Sequence, residues 1–153
     1  MQDVKYDNKV EIFPLSEANK MKEFPYVGSI PAGFPAPSKD YNIEPVNILE
    51  KYMKNPDAIF LGRVSGISMN SILQDGDYIY MDRSLNMRDD DIAVCQINGE
   101  NTLKTVKIEK DRALLLPLNP EFPIITISKE ERLYVIAIVI LIVRPTPARQ
   151  LRL

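Results

Sequence analysis

Apolar and polar residues alternate along much of this chain in short runs, with turn-forming residues between them. Ile59-Phe60-Leu61-Gly62-Arg63-Val64 is the first clear run, and it leads into Ser65-Gly66-Ile67-Ser68-Met69. Gln74-Asp75-Gly76-Asp77 has the chemistry of a tight turn, and Tyr78-Ile79-Tyr80-Met81 reads as a strand beyond it. Ile92 to Ile97 and Thr102 to Ile108 flank Asn98-Gly99, a strong hairpin signal because both turn positions tolerate positive φ. Ala113 to Leu118, Ile124 to Ile127 and Leu133 to Val143 supply three more strands. The pattern predicts a mostly-β domain of short strands and hairpins, with no internal repeat and no helix-turn-helix. One short helix is expected before it. Pro45 suits a first helical position, Val46, Leu49, Tyr52 and Met53 recur at helical spacing, and Asn55-Pro56 ends the run. Its apolar face is expected to pack on the domain.

Residues 1–40 have a different texture. Pro25, Pro31, Pro35 and Pro37 crowd a stretch that also holds Gly28, Ser29 and Gly33. Proline removes backbone donors and fixes φ, so this stretch cannot join a central sheet and reads as an extended arm. Composition alone favours an ordinary linker over such an arm. The longest apolar run, Leu133 to Val143, would span roughly 16 Å as a helix, about half a bilayer core. Its Val and Ile content and its stop at Arg144-Pro145 make it a buried strand instead. The first residues lack the basic start and apolar stretch of a secretory signal, so a cytoplasmic protein without membrane contact is expected.

Composition narrows the chemistry. The 153 residues fit one domain, or one domain with an arm, and 45% apolar with 26% charged residues excludes wholesale disorder. There is no histidine, which rules out Ser-His-Asp and Cys-His sites and every His-ligated metal. A single cysteine, Cys95, forms no internal disulfide, suits a reducing compartment, and reads as a core residue of its strand. The acidic run Asp89-Asp90-Asp91 reads as a turn cap before the Ile92 strand rather than a metal site. A net charge of -2 lacks the positive balance of a free-standing nucleic-acid binder.

Without histidine, a serine can still act as nucleophile if a neutral lysine takes its proton. Ser68 follows a short strand, and Gly66 nearby permits a bend that exposes a hydroxyl and gathers backbone N–H groups as an oxyanion hole requires. An isolated Ser-Gly-x-Ser is also what an ordinary turn looks like. Lys104 alternates with Val106 and Ile108, so it points inward if they do, while Lys107 lies on the other face with Leu103 and Thr105. Burial lowers a lysine pKa; a fall from about 10.4 to about 7 would cost roughly 4.6 kcal/mol of stability, which a fold sustains only with a use for it. The competing reading is a snorkelling lysine with its ammonium in water. Ala32-Gly33, a small residue before a glycine inside the proline-rich arm, is an easily bound peptide bond or simply a loop dipeptide.

Taken together, the residues from about 28 to 145 resemble the LexA/UmuD self-cleaving peptidase family. The resemblance rests on Ala32-Gly33-Phe34-Pro35-Ala36-Pro37, Asp40-Tyr41, Ser65-Gly66-Ile67-Ser68-Met69, Asp75-Gly76-Asp77, Asn98-Gly99-Glu100-Asn101-Thr102-Leu103-Lys104, Leu116-Pro117-Leu118-Asn119-Pro120 and Ile125-Thr126-Ile127. Each piece is common; their order and spacing are specific. Two positions depart from the family's pattern, Ser71 (before Ile72) where glycine is common and Asp90 where glycine is frequent before Asp91, and the segment between Ser68 and Asp75 is about one residue shorter than usual.

The resemblance implies the family's fold, a peptidase domain over 41–145 preceded by an arm over 1–40 that carries the cleavage site, with a tail over 146–153. It implies Ser68 as nucleophile, Lys104 as general base, the backbone N–H groups of Ile67 and Ser68 as oxyanion hole, and Ala32-Gly33 as the bond cut, with no cofactor and no metal. Only 32 residues precede that bond, without a DNA-binding motif. This favours the accessory subunits of error-prone translesion DNA polymerases over the repressors of the family. Homodimerisation, stimulation by RecA filaments on single-stranded DNA during the SOS response, and binding of a UmuC-type polymerase are implied in the same way, without sequence-specific DNA binding. The alternatives are a signal-peptidase-like enzyme, which would need a membrane anchor, a non-catalytic interaction subunit, and a repressor fragment.

Overall fold

A computed structural model of the chain describes residues 10–14, 24–26, 44–66, 68, 69 and 71–147, with backbone alone before Val46. In chain order the elements are strands β1 (Val10–Pro14), β2 (Phe24–Tyr26) and β3 (Glu44–Val46), helix α1 (Ile48–Tyr52), then β4 (Ile59–Val64), β5 (Tyr78–Asp82), β6 (Ile92–Ile97), β7 (Glu100–Ile108), β8 (Arg112–Leu116), β9 (Ile125–Ser128) and β10 (Tyr134–Val143). They fall into two units, one holding β2, β3 and α1, the other β1 and β4 to β10. The fold is mostly antiparallel β with one short helix, as the LexA/UmuD resemblance implied.

The smaller unit pairs β2 with β3, and Pro25 sits opposite Pro45. A two-stranded ribbon tolerates both prolines because each strand keeps a free edge. Pro45 is therefore a strand residue and not the first residue of the helix. The helix starts three positions later because Asn47 caps it: its side-chain oxygen accepts from Glu50 N at 3.1 Å. Of the apolar residues expected on its face, Met53 is buried, Val46 and Leu49 are half-buried and Tyr52 is exposed.

The larger unit is one eight-stranded sheet in the order β1-β4-β5-β10-β6-β7-β8-β9, every neighbouring pair antiparallel. The β6–β7 hairpin turns at Asn98 and Gly99 with φ of 50° and 82°, the left-handed pair that this dipeptide supplies at low cost. β1, drawn from the proline-rich arm, is the edge strand against β4. The apolar run of β10 lies centrally between β5 and β6, but it is buried only at Ala137 and Ile138; Tyr134, Ile142 and Val143, at its ends, are exposed, so the expected buried strand holds for the middle alone.

Two apolar clusters cover opposite faces of the sheet. One gathers Val64, Met69, Leu73, Ile79, Met81, Val94, Leu103 and Ala137; the other gathers Ala93, Cys95, Val106, Leu115, Ile127 and Ile138. Neighbours along β6 alternate between them, as pleating requires. The middle of β7 is consequently buried on both faces: Leu103 and Thr105, assigned to the Lys107 side, are as hidden as Val106. Ile108 shares the face of Lys104 but is 52% exposed, because it stands at the strand's end. Among the described residues no helix is long and apolar enough to cross a membrane.

Candidate active site

Lys104 lies in the doubly covered middle of β7. Its cross-strand partner is Ala93, the next pair on that face is Cys95 with Thr102, and Val106 follows along the strand. Behind this wall Lys104 is 3% exposed. Its acceptors include Ser68 and Thr102: Lys104 Nζ donates to Ser68 Oγ at 3.1 Å, to Thr102 Oγ1 at 3.0 Å and to the Leu103 carbonyl at 3.0 Å. Burial drives the amine's pKa down from 10.5 to about 8. Burial also pushes the Cys95 thiol up to about 12, so at neutral pH it carries no charge to hold the ammonium in place. Lys107 is exposed as expected, although by its place near the end of β7 and not by its face, on which Leu103 and Thr105 are buried.

Ser68 sits in the segment joining β4 to β5 and is fully buried. The segment is laced shut at its ends: Val64 N donates to the Asp77 carbonyl and Gly76 N to the Val64 carbonyl, each at 2.8 Å. Gly66 has φ of 96°, the bend expected beside the serine, and its N–H donates to Asp75 Oδ1 at 3.0 Å. Beyond Ser68 a turn closes on the Met69 carbonyl, which accepts from Leu73 N at 3.0 Å, and Met69 and Leu73 plug into the core. Asn119 N donates to the Ser68 carbonyl at 2.9 Å, which gives the Leu116–Pro120 motif a place at the site. Asp77 holds the far end: its carboxylate is 2% exposed, accepts from Gln74 N at 2.8 Å and pairs with Arg144.

Ser68 and Lys104, 36 residues apart, are thus brought into hydrogen-bond contact. Ala32, Gly33 and Ile67 lie outside the described residues. Thr102 is a site residue that sequence reasoning missed; its signal was its place two residues before Lys104, on the same strand face. The acidic run plays the part expected of it: Asp91 Oδ2 accepts from Arg88 N at 2.7 Å and Asp89 Oδ1 from Ile108 N at 2.9 Å. Among the described residues no three His, Cys, Asp or Glu side chains gather as a metal would need.

The arrangement has a specific chemical capacity. A neutral amine at this distance from Ser68 Oγ can accept the hydroxyl proton, and Thr102 Oγ1 and the Leu103 carbonyl are among the acceptors that orient it.

The two departures from the family pattern carry a backbone signature. Ser71 has φ of 121° and Asp90 φ of 70°, both in the region that favours glycine. Asp tolerates the left-handed well, whereas serine at 121° is strained. Ser71→Gly is expected to stabilise the fold by about 1 kcal/mol, the relieved strain outweighing the added freedom of the unfolded chain. Urea unfolding checks this; a lower midpoint for Ser71→Gly contradicts it.

The Peptidase S24-like family matches residues 25–140. Among curated proteins, the chain is similar to Protein MucA of Escherichia coli, 36% identical over 124 residues that cover 80% of this chain and 84% of the relative. It is similar to Protein SamA of Salmonella typhimurium, 36% identical over 102 residues, 66% of this chain and 71% of the relative. The LexA repressor of Hahella chejuensis is 32% identical over 120 residues, 78% of this chain and 59% of the repressor.

Proposed function

The chain belongs to the Peptidase S24-like family, of LexA/UmuD type, and on that premise we propose that it is a self-cleaving Ser-Lys peptidase that cuts its own arm at Ala32-Gly33. The observation that carries this reading is the buried Lys104 amine at 3.1 Å from the Ser68 hydroxyl. In the proposed division, residues 1–40 are the arm, 41–145 the peptidase domain and 146–153 a tail.

In the reaction, neutral Lys104 takes the Ser68 proton as Oγ attacks the Ala32 carbonyl carbon. The oxyanion is held by the backbone N–H groups of Ile67 and Ser68. As the tetrahedral adduct collapses, the Ala32–Gly33 bond breaks and Lys104 returns the proton to the Gly33 amine. Water, deprotonated by the same lysine, then attacks the Ser68 ester; as that adduct collapses the lysine returns the proton to Ser68 Oγ, and the Ala32 carboxyl leaves and ionises in solvent. Thr102 and the Leu103 carbonyl keep the amine aimed throughout. The 35 residues from Gly33 to Ser68 reach over about 100 Å when extended, so length limits cleavage neither within a chain nor across a dimer.

The biological reading follows the similarity to MucA and SamA. The trimmed chain serves as accessory subunit of a UmuC-type translesion polymerase in the SOS response. It acts in the cytoplasm as a homodimer, and RecA filaments on single-stranded DNA accelerate its cleavage by favouring the docked arm. Mass spectrometry of the purified chain, with and without RecA filament, tests the reading. Two fragments are expected, one ending at Ala32 and one starting at Gly33, appearing faster with filament. A chain that stays intact in both conditions, or is cut elsewhere, overturns it.

A further inference from the structure

We infer that Arg144 and Asp77 form a clamp that positions the Ser68 nucleophile, an inference that rests on the self-cleavage reading above. Arg144 directly follows β10, 76 residues after Ser68, and takes no part in the proton transfers. Its Nε donates to Asp77 Oδ1 at 2.6 Å and its Nη2 to Asp77 Oδ2 at 2.5 Å, a two-pronged pair with a buried carboxylate. The same Nη2 donates to the Ile72 carbonyl at 3.1 Å. Ile72 N in turn donates to the Met69 carbonyl at 3.3 Å, in the turn that follows Ser68 directly. One guanidinium therefore ties the end of a central strand both to the closing end of the serine segment and to the turn beside the serine.

The geometry of the reaction gives this tie a purpose. Lys104 is held by a rigid strand and by Thr102 and Leu103. Ser68 is held by a loop, anchored by Asn119 N and by Met69 and Leu73 in the core, and the Arg144 tie adds a fixed point beside it. A displacement of 1 Å at a reacting atom costs on the order of 100-fold in rate. A lysine at 144 would keep the charge opposite Asp77 but could not span both carboxylate oxygens and the Ile72 carbonyl.

The test measures the first-order self-cleavage rate of the full chain against pH for the parent, Arg144→Gln, Arg144→Lys and Ser68→Ala, at a temperature where circular dichroism shows each folded. Both Arg144 variants are expected to lose about 10- to 100-fold at every pH while the pH midpoint, set by Lys104, stays where it is in the parent. Added methylguanidinium is expected to restore part of the rate to Arg144→Gln. Should Arg144→Gln fail to fold, Arg144→Lys decides. A folded Arg144 variant that cleaves within twofold of the parent overturns the clamp and leaves the peptidase reading intact. So does a loss that follows only the unfolded fraction as temperature is varied. A parent chain that does not cut, or Ser68→Ala that does, overturns the peptidase reading and the clamp with it.

Discussion

Replacing Lys104 with methionine is expected to abolish self-cleavage and at the same time to make the protein more stable at neutral pH. The two effects have one cause. Burial lowers the amine's pKa from 10.5 to about 8, which is equivalent to about 3 kcal/mol of folding free energy. The unfolded chain keeps its proton up to pH 10.5, whereas the folded one sheds it near 8. Between these values the unfolded state binds more protons, so stability rises with pH across that window, and below pH 8 the full penalty is present. Methionine removes the penalty at similar volume. It also leaves the Leu103 carbonyl and the two hydroxyls without the amine's donors, although Ser68 and Thr102 can donate to neighbouring acceptors. The net gain expected is about 1–2 kcal/mol at pH 6.5, shrinking to nothing or reversing by pH 10.5. Denaturant unfolding of Lys104→Met against the parent, both carrying Ser68→Ala so that neither is cut, measures it. A Lys104→Met protein that is less stable at pH 6.5, or whose gain persists at pH 10.5, would show that the amine is not buried as described. Cleavage by Lys104→Met in the otherwise native chain is expected to fall by 1,000-fold or more, because both nucleophile activation and leaving-group protonation are lost. Lys107→Ala is the control: it lies on the same strand, exposed, and should cut at the parent rate.

Self-cleavage of the parent is expected to rise about 90-fold between pH 6 and pH 9 and then to level off. With a midpoint near pH 8, about 1% of Lys104 is neutral at pH 6 and about 90% at pH 9. The sign is fixed by the role: only the neutral amine accepts the Ser68 proton, so activity follows the deprotonated fraction. Asp77 does not distort this window. Burial by itself would raise its pKa, but the Arg144 guanidinium and the Gln74 N–H outweigh that and hold the carboxyl below its ordinary range. Cys95, pushed to about 12, titrates above it. First-order rates across pH 5.5–10.5 give the midpoint directly. A flat profile, or a rate that falls through pH 8, would remove Lys104 from the base role.

How much of this was legible depends on the range of each interaction. The β6–β7 hairpin follows from two adjacent residues, Asn98 and Gly99, whose backbone preferences are local, and the strands around it follow from alternation. The start of α1 was misread for the same local reason. Proline is equally at home at a helix start and in an extended strand, and the choice was made by the Asn47 cap and by the pairing of Pro45 with Pro25. Alternation failed at Leu103 and Thr105 because it assumes one wet face, and the middle of β7 has none. Ser68 and Lys104 were singled out through the ordered set of family motifs. No property of either residue alone distinguished it from a turn serine or a surface lysine.

Residue chemistry and spacing by themselves determined a sheet of hairpins, from the short alternating runs, and the absence of any histidine base. Those properties are composition and near-neighbour effects, complete within a few residues of chain. Only the tertiary structure decided that Lys104 is buried, that its amine meets Ser68, Thr102 and the Leu103 carbonyl, and that Arg144 reaches Asp77 and Ile72 across the fold. A pKa, a hydrogen-bond count and an ion pair of this kind depend on which atoms displace water, and that is fixed by segments far apart in sequence closing around one point.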